Sequence, residues 1–431
     1  MTPPVPMIPP HQLLVFLLQA ALLIALALLL GRGARRVGLP PIVGELCVGI
    51  VVGPTLLSHV AGDLSAWLLP RQAGQFHLLD AVGQIGVMLL VGLTGVELDL
   101  GLVRRRGGTA VRISLAGLVL PLALGIGVGL LLPATLLGAH AERPVFALFL
   151  GVAMCVSAMP VIAKTLTDMR LLHRNIGQLI LVSGSVDDAF GWLMLSVVSA
   201  LATTGVRVGD VGWSIGSTLA VVVVAVTAGR PVVRAVIRRA ERAGGPVLIA
   251  VSVALMLGCA AATLAAGLEP IFGAFLAGAL IGASGPAAGT ALAPLRTLVL
   301  AVLAPLFFAT AGLRVDLTVL RRPEVLGVAA LLLLVAIVGK FGGAFLGALL
   351  CRLNRWEALA LGAGMNARGV VEIVVAMAGL RLGVLNAETY TIVVLIAILT
   401  SVMAPPILRW AMRKVEHTAE ETIRLERLTS P

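Results

Sequence analysis

The chain has 431 residues, 59% of them hydrophobic and only 12% charged, with a mean hydropathy of +1.06. Such a composition excludes a soluble domain and marks an all-α polytopic membrane protein whose solvent is the lipid bilayer. The net charge of +11 suggests nucleic acid as a partner, but the arginines fall in short tracts between apolar runs and form no basic face, so nucleic acid is excluded too.

The opening, MTPPVPMIPPHQ, lacks the basic start of a signal peptide. An apolar run of about 20 residues begins at Leu13 and ends before the arginines of GRGARR, so it is expected to be a first transmembrane helix and not a cleaved leader. Apolar windows between Gly, Pro and Arg punctuation predict about 13 helices. The first seven are 12–31, 40–57, 79–98, 109–132, 145–166, 176–203 and 211–232; the others are 246–267, 270–283, 291–313, 324–351, 356–380 and 388–412. The ninth is short, and GLEP before it fits a tight hairpin.

Orientation follows from the basic residues. With the N-terminus outside, segments such as GRGARR, VRRRGGTAVR, RPVVRAVIRRAER and the tail 413–431 become inner, and the inner segments hold 23 of the 32 Lys and Arg residues against 7 outside. That bias predicts an N-terminus outside and a cytoplasmic C-terminus, and the plasma membrane is the expected location. Cys47, Cys155, Cys259 and Cys351 lie in or beside apolar runs without CxxC spacing, and are read as small buried hydrophobes.

Helices 2 to 6 start inside and helices 9 to 13 start outside, which predicts two inverted five-helix repeats. Each repeat has an interrupted fourth helix: VAMCVSAMPVIAK, with Ser157 and Pro160, and GAGMNARGVVEIV, with Met365, Asn366, Arg368 and Glu372. Matching interruptions in halves of opposite topology point to a transporter with its site at the midplane. Pro160 removes a backbone donor and frees a carbonyl four residues back, so Ser157 and the freed carbonyls are candidate cation ligands; a merely kinked helix is the alternative.

Ionisable groups at bilayer depth cost about 2.5–3.5 kcal/mol each on insertion scales and tend to be functional. Asp187 and Asp188 are adjacent in LILVSGSVDDAFGWLMLSVVSAL, and successive helical residues point about 100° apart. One carboxylate can therefore pair with a cation from another helix while its neighbour faces a cavity. Lys340 is the natural partner, and lysine, unlike arginine, can lose its proton when buried; the alternative is a static ion pair that locates helices. Arg368 and Glu372 stand four apart and are expected to satisfy each other on one helical face. Glu45 and Glu97 are read as organisers of helix ends. No zinc spacing, phosphate loop or nucleophile triad occurs, so neither an enzyme nor a cofactor is expected.

The stretches GELCVGIVVGPTLL, LLVGLTGVELDL, MPVIAKTLTD, VDDAFGWLML, FGAFLAGALI, APLFFATAGLRVDL, GKFGG and MNARGVVEIV resemble, in order, the monovalent cation:proton antiporter-2 family of Kef-type and plant cation/proton exchangers. That resemblance implies the sodium/proton antiporter fold as a single unit over 1–431. It implies a homodimer in which 109–203 and 324–412 mainly form an ion-transporting core, and 12–108 and 246–313 mainly form a dimerisation panel. It further implies that Asp188 transiently binds Na⁺ or K⁺ or a proton, that Asp187 pairs with Lys340, and that the two broken helices cross beside them. The short tail departs from relatives that carry a nucleotide-binding domain. Exchange of Na⁺ or K⁺ for H⁺ by alternating access, moving net charge, is the expected function; a sodium-coupled organic-anion symporter and a gated cation channel are the alternatives.

Overall fold

The computed structural model describes residues 8–69, 73–98, 100–139, 141–204, 208–418 and 421. Arg71, Arg207, Arg424 and Arg427 of the basic residues counted above lie outside them, as does most of the tail beyond Thr418. Among the described residues every regular element is a helix. Helices α1 (Pro10–Arg36), α2 (Pro41–Val52), α3 (Leu57–Val60), α4 (Gly62–Leu68) and α5 (Ala73–Val96) lead to the long α6 (Leu100–Leu131). Then come α7 (Arg143–Cys155), α8 (Met159–Asp168), α9 (Asn175–Thr204), α10 (Val208–Val224), α11 (Arg230–Ala243), α12 (Gly245–Ala265) and α13 (Pro270–Gly282). The remainder is α14 (Pro286–Ala291), α15 (Ala293–Leu298), α16 (Ala304–Gly312), α17 (Pro323–Leu350), α18 (Arg355–Met365), α19 (Val370–Arg381) and α20 (Ala387–Met412).

Among the described residues ten helices are long and apolar enough to cross a membrane, and α18 with α19, bent by 41° at their break, makes eleven. The other two expected spans are shorter. Segment 145–166 divides into α7 and α8, and the 13 residues of α13 reach only about 20 Å. A count of 13 is therefore not reached by length and composition. The basic segment RPVVRAVIRRAER, expected as a loop, is the helix α11, continuous with α10 through a π-turn at Ala225–Gly229. Its Val233, Ile237 and Ala240 are buried at helical spacing, and this stripe holds the segment helical despite its arginines.

Two groups of helices pack by different contacts. In one, α6 lies against α17, α7 and α9, and α18 lies against α17, α20 and α9. In the other, α1 and α16 flank α2, α5 packs on α13 and α16, and α12 packs on α13. Between helices in lipid the attraction is van der Waals contact, so close approach matters most. A Cβ added at Gly125 of α6 would sit 2.7 Å from the Cα of Gly151 in α7, and one at Gly339 of α17 would sit 2.8 Å from Pro121 of α6. These contacts hold α6 between the broken helix and the lysine-bearing helix.

At the basic end, the connection into α9 is clamped by the start of the tail. The buried Arg174 donates to the carbonyls of Val415 and Glu416, both at 3.0 Å, and pairs with Glu421 at 2.9 Å, while the Asn175 amide donates to Glu421 at 2.6 Å. Burial alone would push the Glu421 carboxyl up. The amides of Asn175 and Thr418 and the charges of Arg174 and His417 outweigh it and hold the group below the usual carboxylate range. A depressed carboxyl stabilises the clamp above its unfolded value near 4.5 and loses that contribution as pH falls through the folded value. Acidification below that point should release the tail, read as faster hydrogen exchange at 413–418, and Glu421→Gln should show the released exchange rate at neutral pH. Equal protection in both proteins at pH 7 would remove the clamp.

Candidate functional site

The site is built where two helices stop inside the bundle. Helix α7 ends at Cys155, residues Val156–Ala158 are non-helical, and α8 restarts at Met159. Helix α18 ends at Met365, and α19 restarts at Val370 after Gly369. The two breaks bind each other: Ala158 N–H donates to the Ala367 carbonyl at 3.2 Å, and the Ser157 hydroxyl lies 2.8 Å from the Met365 carbonyl. Gly369 adopts φ of 157°, and a Cβ there would lie 2.8 Å from a methyl of Val161, so this turn admits only glycine. Pro160 sits in the first turn of α8, where its missing N–H would have no helical partner, so it starts the second half-helix and does not kink a continuous one.

A helix ending in an apolar interior leaves its last carbonyls without partners. At α7 this chain's own cations supply them. Arg368 donates to the carbonyls of Ala153 (3.2 Å) and Met154 (2.6 Å), and Lys340 to that of Cys155 (2.5 Å). Arg368 also reaches the Ala336 carbonyl at 3.1 Å and Glu372 at 3.1 Å. It lies in the break and not on a helix, so the Arg368–Glu372 pair forms, but not through the shared helical face expected for it. The carbonyls of Ala153, Met154 and Cys155 are thus taken by Arg368 and Lys340, whereas the carbonyl four residues before Pro160, expected as a cation ligand, is that of Val156 and is not one of these three.

The two aspartates of α9 have different surroundings. Asp187 is fully buried, forms an ion pair with Lys340 of α17, accepts from the Ser114 hydroxyl of α6, and lies 2.9 Å from the Ser157 hydroxyl. Ser157 has one proton for its two acceptors, Asp187 and the Met365 carbonyl, so it couples the aspartate to the other break. Asp188 accepts from the Met159 N–H at 3.3 Å, at the positive end of α8. All the expected site residues thus meet at the crossing. Ser114 was not expected, and its one signal in sequence is a lone hydroxyl in the apolar run VRISLAGLV.

At the basic end of the bundle, a cavity of about 410 Å³ is lined by the charged Arg35, Glu45, Glu97, Lys164 and Arg296 and by apolar residues that include Val161 and Val370. Burial pushes the Glu97 carboxyl up, and Arg296 across from it pulls it part of the way back. Val161 lies two residues beyond Met159, and Val370 follows Gly369, so this part of the lining is formed by the starts of α8 and α19. At the opposite end Glu269, the residue before α13, pairs with Arg381 of α19 and accepts from Ser199 of α9 at 3.3 Å, and Arg314 pairs with Asp80 at 2.8 Å.

The sequence profile of the family described as sodium/hydrogen exchanger, transmembrane, matches residues 21–414. The chain is 31% identical over 408 residues to Cation/H(+) antiporter 18 of Arabidopsis thaliana, covering 94% of this chain and 50% of that one. It is 31% identical over 401 residues to the Na(+)/H(+) antiporter NhaS4 of Synechocystis sp., covering 92% and 97%. The chain thus spans about half the length of the plant relative and nearly all of the cyanobacterial one. The solved structure of the sodium proton antiporter MjNhaP1 of Methanocaldococcus jannaschii at pH 8 superposes with a TM-score of 0.67, at 15% identity, over 97% of this chain and 100% of that one, a likeness of fold.

The unequal surroundings of the aspartates set unequal stabilities for their amides. Asp187→Asn leaves Lys340 buried without its counter-charge, a loss of about 3–5 kcal/mol for a broken buried pair. Asp188→Asn removes one charge held by a single backbone donor and should cost far less. Melting temperatures in detergent should fall steeply for Asp187→Asn only; equal values from pH 6 to 9 would refute the pairing.

Proposed function

The chain belongs to the sodium/hydrogen exchanger family, and from that premise we propose that it exchanges a monovalent cation, Na⁺ or K⁺, for H⁺ by alternating access. The observation that carries this reading is the pair of adjacent buried carboxylates of which only one is neutralised by a cation. In the proposed cycle Asp188 alternates between a proton and a partly dehydrated cation. The start of α8 supplies a fixed N–H and the positive end of a helix dipole that face this carboxylate. Asp187 and Lys340 form the charge-compensating partner, and Arg368 with Glu372 keeps the breaks in place. The cavity whose wall is built by the starts of α8 and α19 supports access from the basic end.

The wider reading is part of the same proposal. Residues 109–203 and 324–412 act mainly as the moving core and 12–108 and 246–313 mainly as the panel of a homodimer, a division supported by the two packing groups. The two breaks would belong to inverted repeats. The distribution of Lys and Arg supports a plasma-membrane orientation with the N-terminus outside and the C-terminus cytoplasmic. The organic-anion symporter finds no support in the relatives, whose names specify cation and proton.

Asp188→Asn should abolish cation-driven proton movement in proteoliposomes while the protein stays folded, because an amide exchanges no proton in this range yet is nearly isosteric. Normal flux in the variant would sink the assignment. The cycle should also move charge. If cation entry draws Asp187 from Lys340 so that the lysine also releases its proton, two protons cross per cation, with one net charge. A potential then biases the cycle by about 2.3 kcal/mol per 100 mV. Arginine holds its charge throughout, so Lys340→Arg, where active, should lose voltage sensitivity. A wild-type reversal point unmoved by an imposed potassium-valinomycin potential would show electroneutral exchange and leave Lys340 a brace.

A further inference from the structure

Buried polar groups in folded proteins are almost always hydrogen-bonded, so an unpartnered one needs a physical account. Asn366 is fully buried, and neither its amide nitrogen nor its amide oxygen has a hydrogen-bond partner among the described residues. Its position is fixed from several directions. Its own N–H donates to the Gly362 carbonyl at 3.1 Å, the Met365 carbonyl before it lies 2.8 Å from the Ser157 hydroxyl, and the Ala367 carbonyl after it accepts from Ala158 at 3.2 Å. Ser157 in turn touches Asp187, and Met159, next to Ala158, donates to Asp188. A neutral amide with no partner is thus held in the crossing that also holds both aspartates.

Leaving both halves of an amide unpaired in an apolar interior is costly, and an apolar side chain of similar size would fill the place more cheaply. In the two breaks the carbonyls of Ala153, Met154 and Cys155 are taken by Arg368 and Lys340 and the Ser157 hydroxyl by Asp187 and Met365, while Arg368 Nε and Glu372 Oε2 are, like the Asn366 amide, buried without a partner. The amide oxygen is a hard, neutral donor of the type that suits hard cations. A carboxylate alone provides charge with little discrimination of size, whereas a neutral oxygen held in the same crossing would constrain the ligand distance. We propose that the Asn366 amide oxygen is a ligand of the transported cation, and that it sets the preference between Na⁺ and K⁺ while Asp188 supplies the charge. This rests on the exchange reading above.

The test uses the full-length protein with Asn366→Leu and Asn366→Ser, measured for melting temperature in choline, sodium and potassium chlorides and for cation KM and kcat in proteoliposomes. In choline, Asn366→Leu should melt at or above the wild-type temperature, because an unpaired buried amide has been removed. It should lose the stabilisation that the preferred cation gives the wild type. Its KM for that cation should rise by roughly tenfold or more, the scale of one lost ligand worth 1.4 kcal/mol, and the ratio of sodium to potassium KM should move toward one. The proton-side pH profile should stay in place, since Asp188 is intact. Asn366→Ser, which keeps an oxygen, should recover part of the KM. A lower melting temperature in choline with unchanged KM values and ion ratio would show an amide held by structural water, and overturn the proposal. If the wild type itself neither responds to nor transports any monovalent cation, the exchange reading fails, and the ligand assignment with it.

Discussion

The end of α7 is the constraint on which the rest of the site depends. A helix that stops in an apolar interior must give its last carbonyls new donors, and each carbonyl left bare would cost on the scale of a lost buried hydrogen bond. Two cations from distant parts of the chain meet the need, Arg368 from the second break and Lys340 from α17. Burying those cations creates the next demand. Arg368 is answered by Glu372 and Lys340 by Asp187. The break, the buried cations and one of the two aspartates thus form one chain of necessity, and Asp188 is the member left outside it.

That exclusion gives the second aspartate its freedom. Asp187 is committed to a lysine and two hydroxyls from α6 and from the first break. Asp188 meets one N–H, at the start of α8. The half-helices therefore present opposite ends to the centre: the negative end of α7 faces cations, and the positive end of α8 faces a carboxylate. Fixed dipoles of both signs lower the cost of charge at this depth without neutralising it covalently. A carboxylate held this lightly is what the proposed exchange requires.

Much of this was legible in the sequence, for a specific reason. In hydrocarbon every ionisable residue is conspicuous, so Asp187, Asp188, Lys340, Arg368 and Glu372 could be singled out against an apolar background. What stayed hidden depends on contacts between helices far apart in the chain. The aspartates are chemically identical in sequence, and only the resemblance to known exchangers, not their own context, separated them. Ser114 is one hydroxyl among many, and its role appears only when α6 packs on α9. Pro160 was visible, but its sense as the start of α8 instead of a kink depends on where α7 ends. The buried stripe of α11 was masked by its arginines, which outweigh three apolar residues in any hydropathy window.

The ion pairs at the two ends bear on the proposed exchange, because it needs access to the fixed charges of the site to change. At the end opposite the basic cavity, Glu269, the residue before α13, binds Arg381 of α19 and Ser199 of α9, joining the two packing groups by polar contacts at a helix terminus. At the basic end, Arg296 and Glu97 pair within one group, and the cavity runs between α5, α2 and α8. An exposed pair such as Arg296–Glu97 is worth little, about 0–1 kcal/mol. A pair so weak would not oppose the opening that the proposed exchange needs, whereas a buried pair of the Lys340–Asp187 kind would resist it through several kcal/mol of broken contacts. Fully buried ion pairs stand at the crossing, Lys340–Asp187 and Arg368–Glu372, and at the tail clamp, Arg174–Glu421, while the more exposed pairs lie toward the helix ends.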